Sequence, residues 1–172
     1  MNWIFCPIDD SCQRDTFDCG IPELNEYLKQ YARQNDRKGI AKTFVALPQV
    51  GDRVVAGYYS VSMSQIERNS LPENHTKGLP RYPVPAMLIG KLAVDKSMQG
   101  IGVGEELLVD ALKKAVRLSA EVAIFAVRVD AINERANNFY VKYGFIPFLD
   151  NRLTLFMPIK VILNAFGEGI SP

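Results

Sequence analysis

The chain has 172 residues, a net charge of +1 and 48% apolar residues. That length suits one core of ordinary size, and the composition argues against disorder. The near-zero charge gives no bulk argument for nucleic acid. With no apolar run of transmembrane length and no basic-then-apolar leader, the expectation is a cytoplasmic protein without a membrane partner.

Cys6, Cys12 and Cys19 are odd in number, form no C-x-x-C, and lie far in sequence from the single histidine, His75. Free thiols are expected, and no metal site. One domain over residues 1–165 is expected, with a flexible tail at 166–172.

Met1 to Ile8 can form a first strand. In the next segment, FDCGIPEL, Pro22 suits the first turn of a helix and Glu23 its positive end. Leu24, Tyr27, Leu28, Tyr31 and Ala32 then repeat at helical spacing. Between Lys29 and Lys42 stand five basic residues, Lys29, Arg33, Arg37, Lys38 and Lys42, against Asp36 alone. They read either as a solvated helix face or as the edge of a polyanion-binding surface. Strands are expected at 40–48 and 53–63, joined by a turn at Val50-Gly51-Asp52. Residues 67–85, broken by Pro72, Gly78, Pro80, Pro83 and Pro85, read as a loop, and Lys77, Arg81 and Lys91 add positive charge nearby.

The informative stretch is AMLIGKLAVDKSMQGIGVG, residues 86–104. An apolar strand ends at Asp95, a glycine turn follows, and a helix opens at Glu105. Its apolar stripe is Leu107, Leu108, Ala111, Leu112, Ala115 and Leu118. Such a junction aims main-chain N–H groups at one spot, at the positive end of a helix dipole, and can hold a phosphate. Glycines there permit positive φ and put no Cβ between ligand and backbone. A P-loop is excluded because Gly104 precedes Glu105 rather than Lys, and the turn has G-x-G-x-G rather than the dinucleotide G-x-G-x-x-G. The remaining phosphate-binding form is Gln/Arg-x-x-Gly-x-Gly/Ala, met by Gln99, Gly102 and Gly104; an ordinary unliganded connection is the other reading. Glu121 to Val129 follows as a strand buried on both faces, completing a parallel strand–helix–strand unit. Then come cap residues at Asp130 and Asn133, a short helix from Glu134 to Tyr143, Gly144 as its stop, and a closing hairpin from Phe145–Phe148 and Arg152–Ile159. Residues 164–172 are expected to fray.

The 99–104 turn resembles the pyrophosphate loop of the GCN5-related N-acetyltransferase (GNAT) superfamily. Asn133 with Asn138-Phe139-Tyr140-Val141-Lys142-Tyr143-Gly144-Phe145 resembles that superfamily's Asn…FYxxxGF closing helix. The element order is also similar to the GNAT plan over essentially the whole chain. The resemblance implies an α/β fold, a central mixed and mostly antiparallel sheet with flanking helices, acting on acetyl-CoA. A narrower resemblance, carried by FDCGIPELNEYLKQYA and RYPVPAMLIGKLAVD, is to the GNAT toxins of toxin–antitoxin pairs. It implies acetylation of the amino group of aminoacyl-tRNA, a homodimer and a ribbon-helix-helix antitoxin.

By the same resemblance, the main chain of Leu92, Ala93 and Val94 binds pantetheine and polarises the thioester. Gln99, Gly100, Ile101, Gly102, Val103 and Gly104 hold the pyrophosphate. Asn133 and Asn138 contact the pantetheine arm, and Phe139 packs against it. Tyr140 is the implied general acid to the CoA sulfur, with Tyr143 in reserve; a phenol is protonated at neutral pH and donates without special tuning. Glu105 and Glu106 are explained by the helix dipole alone, and no protein base is named. If tRNA is the acceptor, Lys29, Arg33, Arg37, Lys38, Lys77 and Arg81 are candidates for phosphate contact. Three other readings stay open: acetylation of a small amine or protein N-terminus, a silent acyl-CoA-binding regulator, and a nucleotide-binding module.

Overall fold

A computed structural model describes residues 2–166. In chain order the elements are β1 (Trp3–Pro7), α1 (Pro22–Glu26), a π-helical turn (Tyr27–Tyr31), α2 (Ala32–Arg37), β2 (Lys42–Pro48) and β3 (Gly57–Ile66). Two 3₁₀ turns, Arg68–Ser70 and Glu73–His75, lead to β4 (Val84–Val94), and a third, Lys96–Met98, to α3 (Val103–Ser119). The chain closes with β5 (Ala126–Asp130), α4 (Glu134–Lys142), β6 (Ile146–Pro147), β7 (Thr154–Pro158) and α5 (Ile159–Phe166). The strands hydrogen-bond in the order β1-β2-β3-β4-β5-β7-β6. The β4–β5 pair is parallel, while β1–β2, β2–β3, β5–β7 and β6–β7 are antiparallel, which gives the expected mixed sheet.

The chain divides into two compact units, Met1–Ser62 with Gly90–Ala111 and Met63–Ile89 with Leu112–Pro172. In the first, β1 pairs with β2 from Trp3↔Pro48 to Pro7↔Phe44, and β2 with β3 from Lys42↔Val61 to Ala46↔Gly57. The core gathers Val45 and Leu47 from β2, Tyr58 from β3, Ala93 from β4, and Leu24, Tyr27, Leu28 and Ala32 from the helical segment. Tyr31, expected on that stripe, is 45% exposed. The wider i→i+5 turn keeps Leu28 and Ala32 inward and swings Tyr31 out. Tyr58 is fully buried; its hydroxyl donates to the Leu24 carbonyl at 2.8 Å and its ring stacks on Tyr27.

The third strand, β3, starts at Gly57, not Arg53. Residues 53–55 are used elsewhere: Gln13 N–H donates to the Arg53 carbonyl at 2.8 Å, and Val55 N–H to the Gln13 carbonyl at 2.9 Å. Gly57 is needed for lack of room. A Cβ there would lie 2.9 Å from the Ala93 carbonyl oxygen and 2.8 Å from Leu107 Cδ1.

In the second unit β5 lies between β4, in register from Ala86↔Ala126 to Ile89↔Val129, and β7, from Ala126↔Pro158 to Asp130↔Thr154. Ala126, Val127 and Val129 are fully buried, as a strand with neighbours on both sides requires. The strand is shorter than the expected 121–129, because the Leu118 carbonyl accepts from Glu121 and Val122 N–H and turns the chain, leaving Val122 exposed. β4 starts two residues early, at Val84. Pro85 is exposed there, and its carbonyl accepts from Phe125 N–H at 2.9 Å. On α3, Leu107, Leu108, Ala111, Leu112 and Ala115 are buried as expected, but Val116 is buried in place of Leu118, which is exposed. Gly144 has φ +93 and ends α4 as its position suggests. The chain does not fray at Asn164, since α5 runs to Phe166; the rest of the expected tail, 167–172, lies outside the described residues.

Gly57→Ala should cost about 1–3 kcal/mol of stability, because the Ala93 main chain cannot yield as a side-chain tip can. Urea unfolding of both proteins measures this, and an unchanged midpoint would show that β3 and β4 can part at no cost.

Candidate functional site

The end of β4 is fixed by one carboxylate. Asp95 accepts from Ser97 N–H at 2.9 Å and Ser97 Oγ at 2.6 Å on one oxygen, and from Asp18 N–H at 2.9 Å on the other. Its own N–H donates to the Ala56 carbonyl at 2.8 Å. Burial pushes the Asp95 carboxyl up, but these donors outweigh it and leave the group below its usual range. Asp18 in turn accepts from Lys96 Nζ, Gly20 N–H and Asn25 Nδ2, each at 2.9 Å. The Lys96 ammonium first, then the other two donors, hold the Asp18 carboxyl down at about 2.

The glycine turn follows at once. Gly100 and Gly102 have φ +81 and +93, while Gly104 lies inside α3 and is not among the left-handed glycines. Nothing lies within 4 Å of a Cβ built at Gly100 or Gly102, so φ rather than crowding demands glycine at both. Val103 is buried and anchors the far side of the turn; Ile101 is 58% exposed. The first N–H groups of α3 have no acceptor within the helix, which fits a bound diphosphate at that end. Two implied ligands have other work. Gln99 Nε2 donates to the Val94 carbonyl at 2.9 Å and the Cys19 carbonyl at 3.2 Å, so its side chain is a strut inside the turn. The same bond engages Val94, and the Ala93 oxygen faces Gly57; the third member of that trio is Leu92. One residue before it, Lys91 holds its ammonium 4.2 Å over the Tyr27 ring.

In the second unit Asn133 caps α4: its Oδ1 accepts from Ala136 N–H at 2.9 Å. Asn138 is exposed. The buried amide is that of the preceding Asn137, 4% exposed, whose Oδ1 has no partner among the described residues. One residue turns the side chain by about 100° around a helix, so the spacing from Asn133 to Tyr140 could have picked it out. Tyr140 is also 4% exposed, edge-on to Phe139 at 5.3 Å and Phe145 at 5.5 Å. Burial pushes its phenol well above the ordinary range, and Asp130 adds to the shift. Phe139 also meets Tyr143, with ring centres 5.0 Å apart.

Of the basic candidates, Arg33 is tied to Asp10 at 3.0 Å and donates to the Ile8 carbonyl at 3.2 Å. Arg37 shares Asp10 at 3.4 Å but stays exposed. Lys38 is exposed beside them and Lys29 is half-buried; Lys77 and Arg81 are exposed in the second unit. Lys42 pairs with Asp36 at 2.9 Å. Among the described residues no cluster of His, Cys, Asp or Glu could hold a metal ion, and no helix is long and apolar enough to cross a membrane. The Asp18–Asn25–Lys96 cluster carries no local sequence sign, since Asp18 and Lys96 are 78 positions apart.

The profile of the acetyltransferase (GNAT) family matches residues 10–145. A protein of Mycobacterium tuberculosis named tRNA-acetylating toxin is 32% identical over 161 residues, 94% of this chain and 95% of that protein. A probable toxin TacT of Sinorhizobium fredii is 26% identical, covering 90% of this chain and 89% of its own. Among solved structures, a Tyr-to-Phe mutant of KacT superposes with TM-score 0.92 at 32% identity, over 96% of this chain and all of that one (100%). AtaT complexed with acetyl-methionyl-tRNAfMet gives 0.90 at 32% identity over the same shares, 96% and 100%. A Tyr-to-Phe mutant of AtaT, bound to the C-terminus of the antitoxin AtaR and to acetyl-CoA, gives 0.83 at 29% identity, over 96% and 99%.

Tyr58 and Tyr140 both have raised phenol pKa values in the folded chain, chiefly through burial. Unfolding releases these protons once pH passes about 10, the ordinary tyrosine value. Their contribution to stability is therefore complete below that pH and lost as pH rises through the folded values. Urea unfolding followed from neutral to alkaline pH should show this decline, reduced in Tyr58→Phe and in Tyr140→Phe. The same alkaline slope in both variants would assign it to other groups.

Proposed function

The chain belongs to the acetyltransferase (GNAT) family, and on that premise we propose that it moves the acetyl group of acetyl-CoA to the α-amino group of an aminoacyl-tRNA. The transfer blocks translation, as the toxin of a toxin–antitoxin pair. The observation that carries this reading is the likeness, over 96% of the chain, to AtaT holding an acetylated initiator tRNA. The M. tuberculosis relative's name points the same way.

Acetyl-CoA supplies the activated acetyl group. The exposed left-handed turn at Gly100 and Gly102 and the first N–H groups of α3 receive its diphosphate, and the main chain at Leu92 receives the pantetheine arm. By the family resemblance we also assign Asn133, Asn138 and Phe139 to acetyl-CoA contact. Tyr140 holds the proton that the departing sulfur requires. Burial holds its pKa above the ordinary tyrosine value, so the phenol is protonated at neutral pH and present as a donor. The attacking amine must arrive neutral. The α-amine of an aminoacyl ester is only weakly basic, so a useful fraction meets that condition without a protein base. Lys29, Lys38, Lys77 and Arg81 offer cations to tRNA phosphates, and Arg33 and Arg37 would join by releasing Asp10. An antitoxin, of ribbon-helix-helix type, silences the protein, in keeping with the AtaR-bound relative. The working form is a homodimer in the cytoplasm, where charged tRNA is found.

Tyr140→Phe should keep acetyl-CoA affinity and lose roughly a hundredfold or more in turnover, the usual share of a general acid. Incubation with charged tRNA and labelled acetyl-CoA reads both variant and parent. Undiminished turnover would remove Tyr140 from the reaction, and a parent protein that labels small amines but no charged tRNA would overturn the acceptor.

A further inference from the structure

We infer that Asp18 and Lys96, outside the cofactor contacts themselves, are positioning residues that set the shape of the diphosphate-gripping turn. The inference rests on reading residues 99–104 as that turn. Gly100 and Gly102 have nothing within 4 Å of an added Cβ, so side-chain packing does not shape the turn there. Its shape is inherited from its anchors. On the far side the anchor is buried Val103. On the near side it is the segment from Asp18 to Asn25.

That near-side anchor is dense. The Asp18 carbonyl accepts from Lys96 N–H at 2.8 Å, and its carboxylate accepts from Lys96 Nζ at 2.9 Å. Asp18 N–H goes to Asp95 at 2.9 Å, and the Cys19 carbonyl takes the Gln99 amide at 3.2 Å. Asn25 locks the segment from behind, donating to Asp18 at 2.9 Å and accepting from Cys19 N–H at 2.8 Å. Gly20, at φ +89, leaves room for the lysine stem; a Cβ there would stand 3.1 Å from Lys96 Cε. The Asp18 and Lys96 side chains are 50% and 61% exposed, and exposed pairs add little to stability. A charge-assisted bond in a network does fix direction. Here it fixes the path by which the chain leaves Asp95 and reaches Gly100.

The test separates grip on the diphosphate from general damage. Asp18→Asn, Lys96→Met and Lys96→Arg are compared with the parent, using acetyl-CoA and acetyl-pantetheine, which lacks the diphosphate, and charged tRNA as acceptor. CoA binding is measured alongside by calorimetry. For Asp18→Asn and Lys96→Met the expectation is a rise of about tenfold in KM for acetyl-CoA and in Kd for CoA, the scale of a slight misplacement. The kcat with acetyl-CoA and the kcat/KM for acetyl-pantetheine should not change, and Lys96→Arg should restore most of the loss. Equal losses with both thioesters, or unchanged CoA affinity in both variants, would overturn the inference. A parent that uses acetyl-CoA no better than acetyl-pantetheine would instead overturn the assignment of the turn to a diphosphate.

Discussion

The carboxylate of Asp95 is where the first unit is fastened. It closes β4, opens the 3₁₀ turn through Ser97, and accepts the N–H of Asp18. The acceptor has to be ionised to serve donors on both oxygens, and those donors keep it so despite partial burial. With the strand end held there, the Asp95 N–H reaches the Ala56 carbonyl, and β3 and β4 come together over Gly57. The start of α3 then falls against the same point through Val103 and Leu107. Strand, turn and helix start are one construction, and it leaves Gly100, Ile101 and Gly102 exposed.

The two families of candidate residues are prepared by different physics. At the turn the tools are dihedral angle and hydrogen-bond direction. At Tyr140 the tool is exclusion of water: an aromatic neighbourhood of Phe139 and Phe145 and the nearby charge of Asp130 both disfavour a phenolate. A phenol held neutral in this way remains a hydrogen-bond donor at neutral pH, and is a weaker acid than an exposed tyrosine. Asn137 is buried one helical turn before Tyr140, and its carbonyl oxygen has no partner among the described residues.

Much of this was readable from residue order. Periodicity located α3 and α4, the glycine turn stood out against its flanks, and Gly144 marked a helix end. The failures have physical causes. Tyr31 fell off its stripe because a π turn changes the angular step, which no count of apolar positions reveals. Residues 121–125 looked like strand because all but Glu121 are apolar, but the end of α3 takes Glu121 and Val122 into a turn. The 53–55 segment holds two valines, yet its main chain serves Gln13. The anchor at Asp18 and Lys96 escaped for a different reason, since it is a contact between distant segments and neither side carries a local signature of it. Gln99 was read as a ligand because of the motif around it; only its two bonds reveal a strut.

Gly57 and Gly102 illustrate two kinds of intolerance. The first sits in extended backbone that any residue can adopt but is walled in by the Ala93 oxygen and Leu107; the second has empty space around it but a left-handed backbone. Evolutionary drift should therefore treat them differently. Asparagine, the side chain most at ease with left-handed geometry, is the natural way out of glycine at 102. At 57 no side chain offers such an exit, because even the smallest one needs volume that a neighbouring carbonyl already occupies.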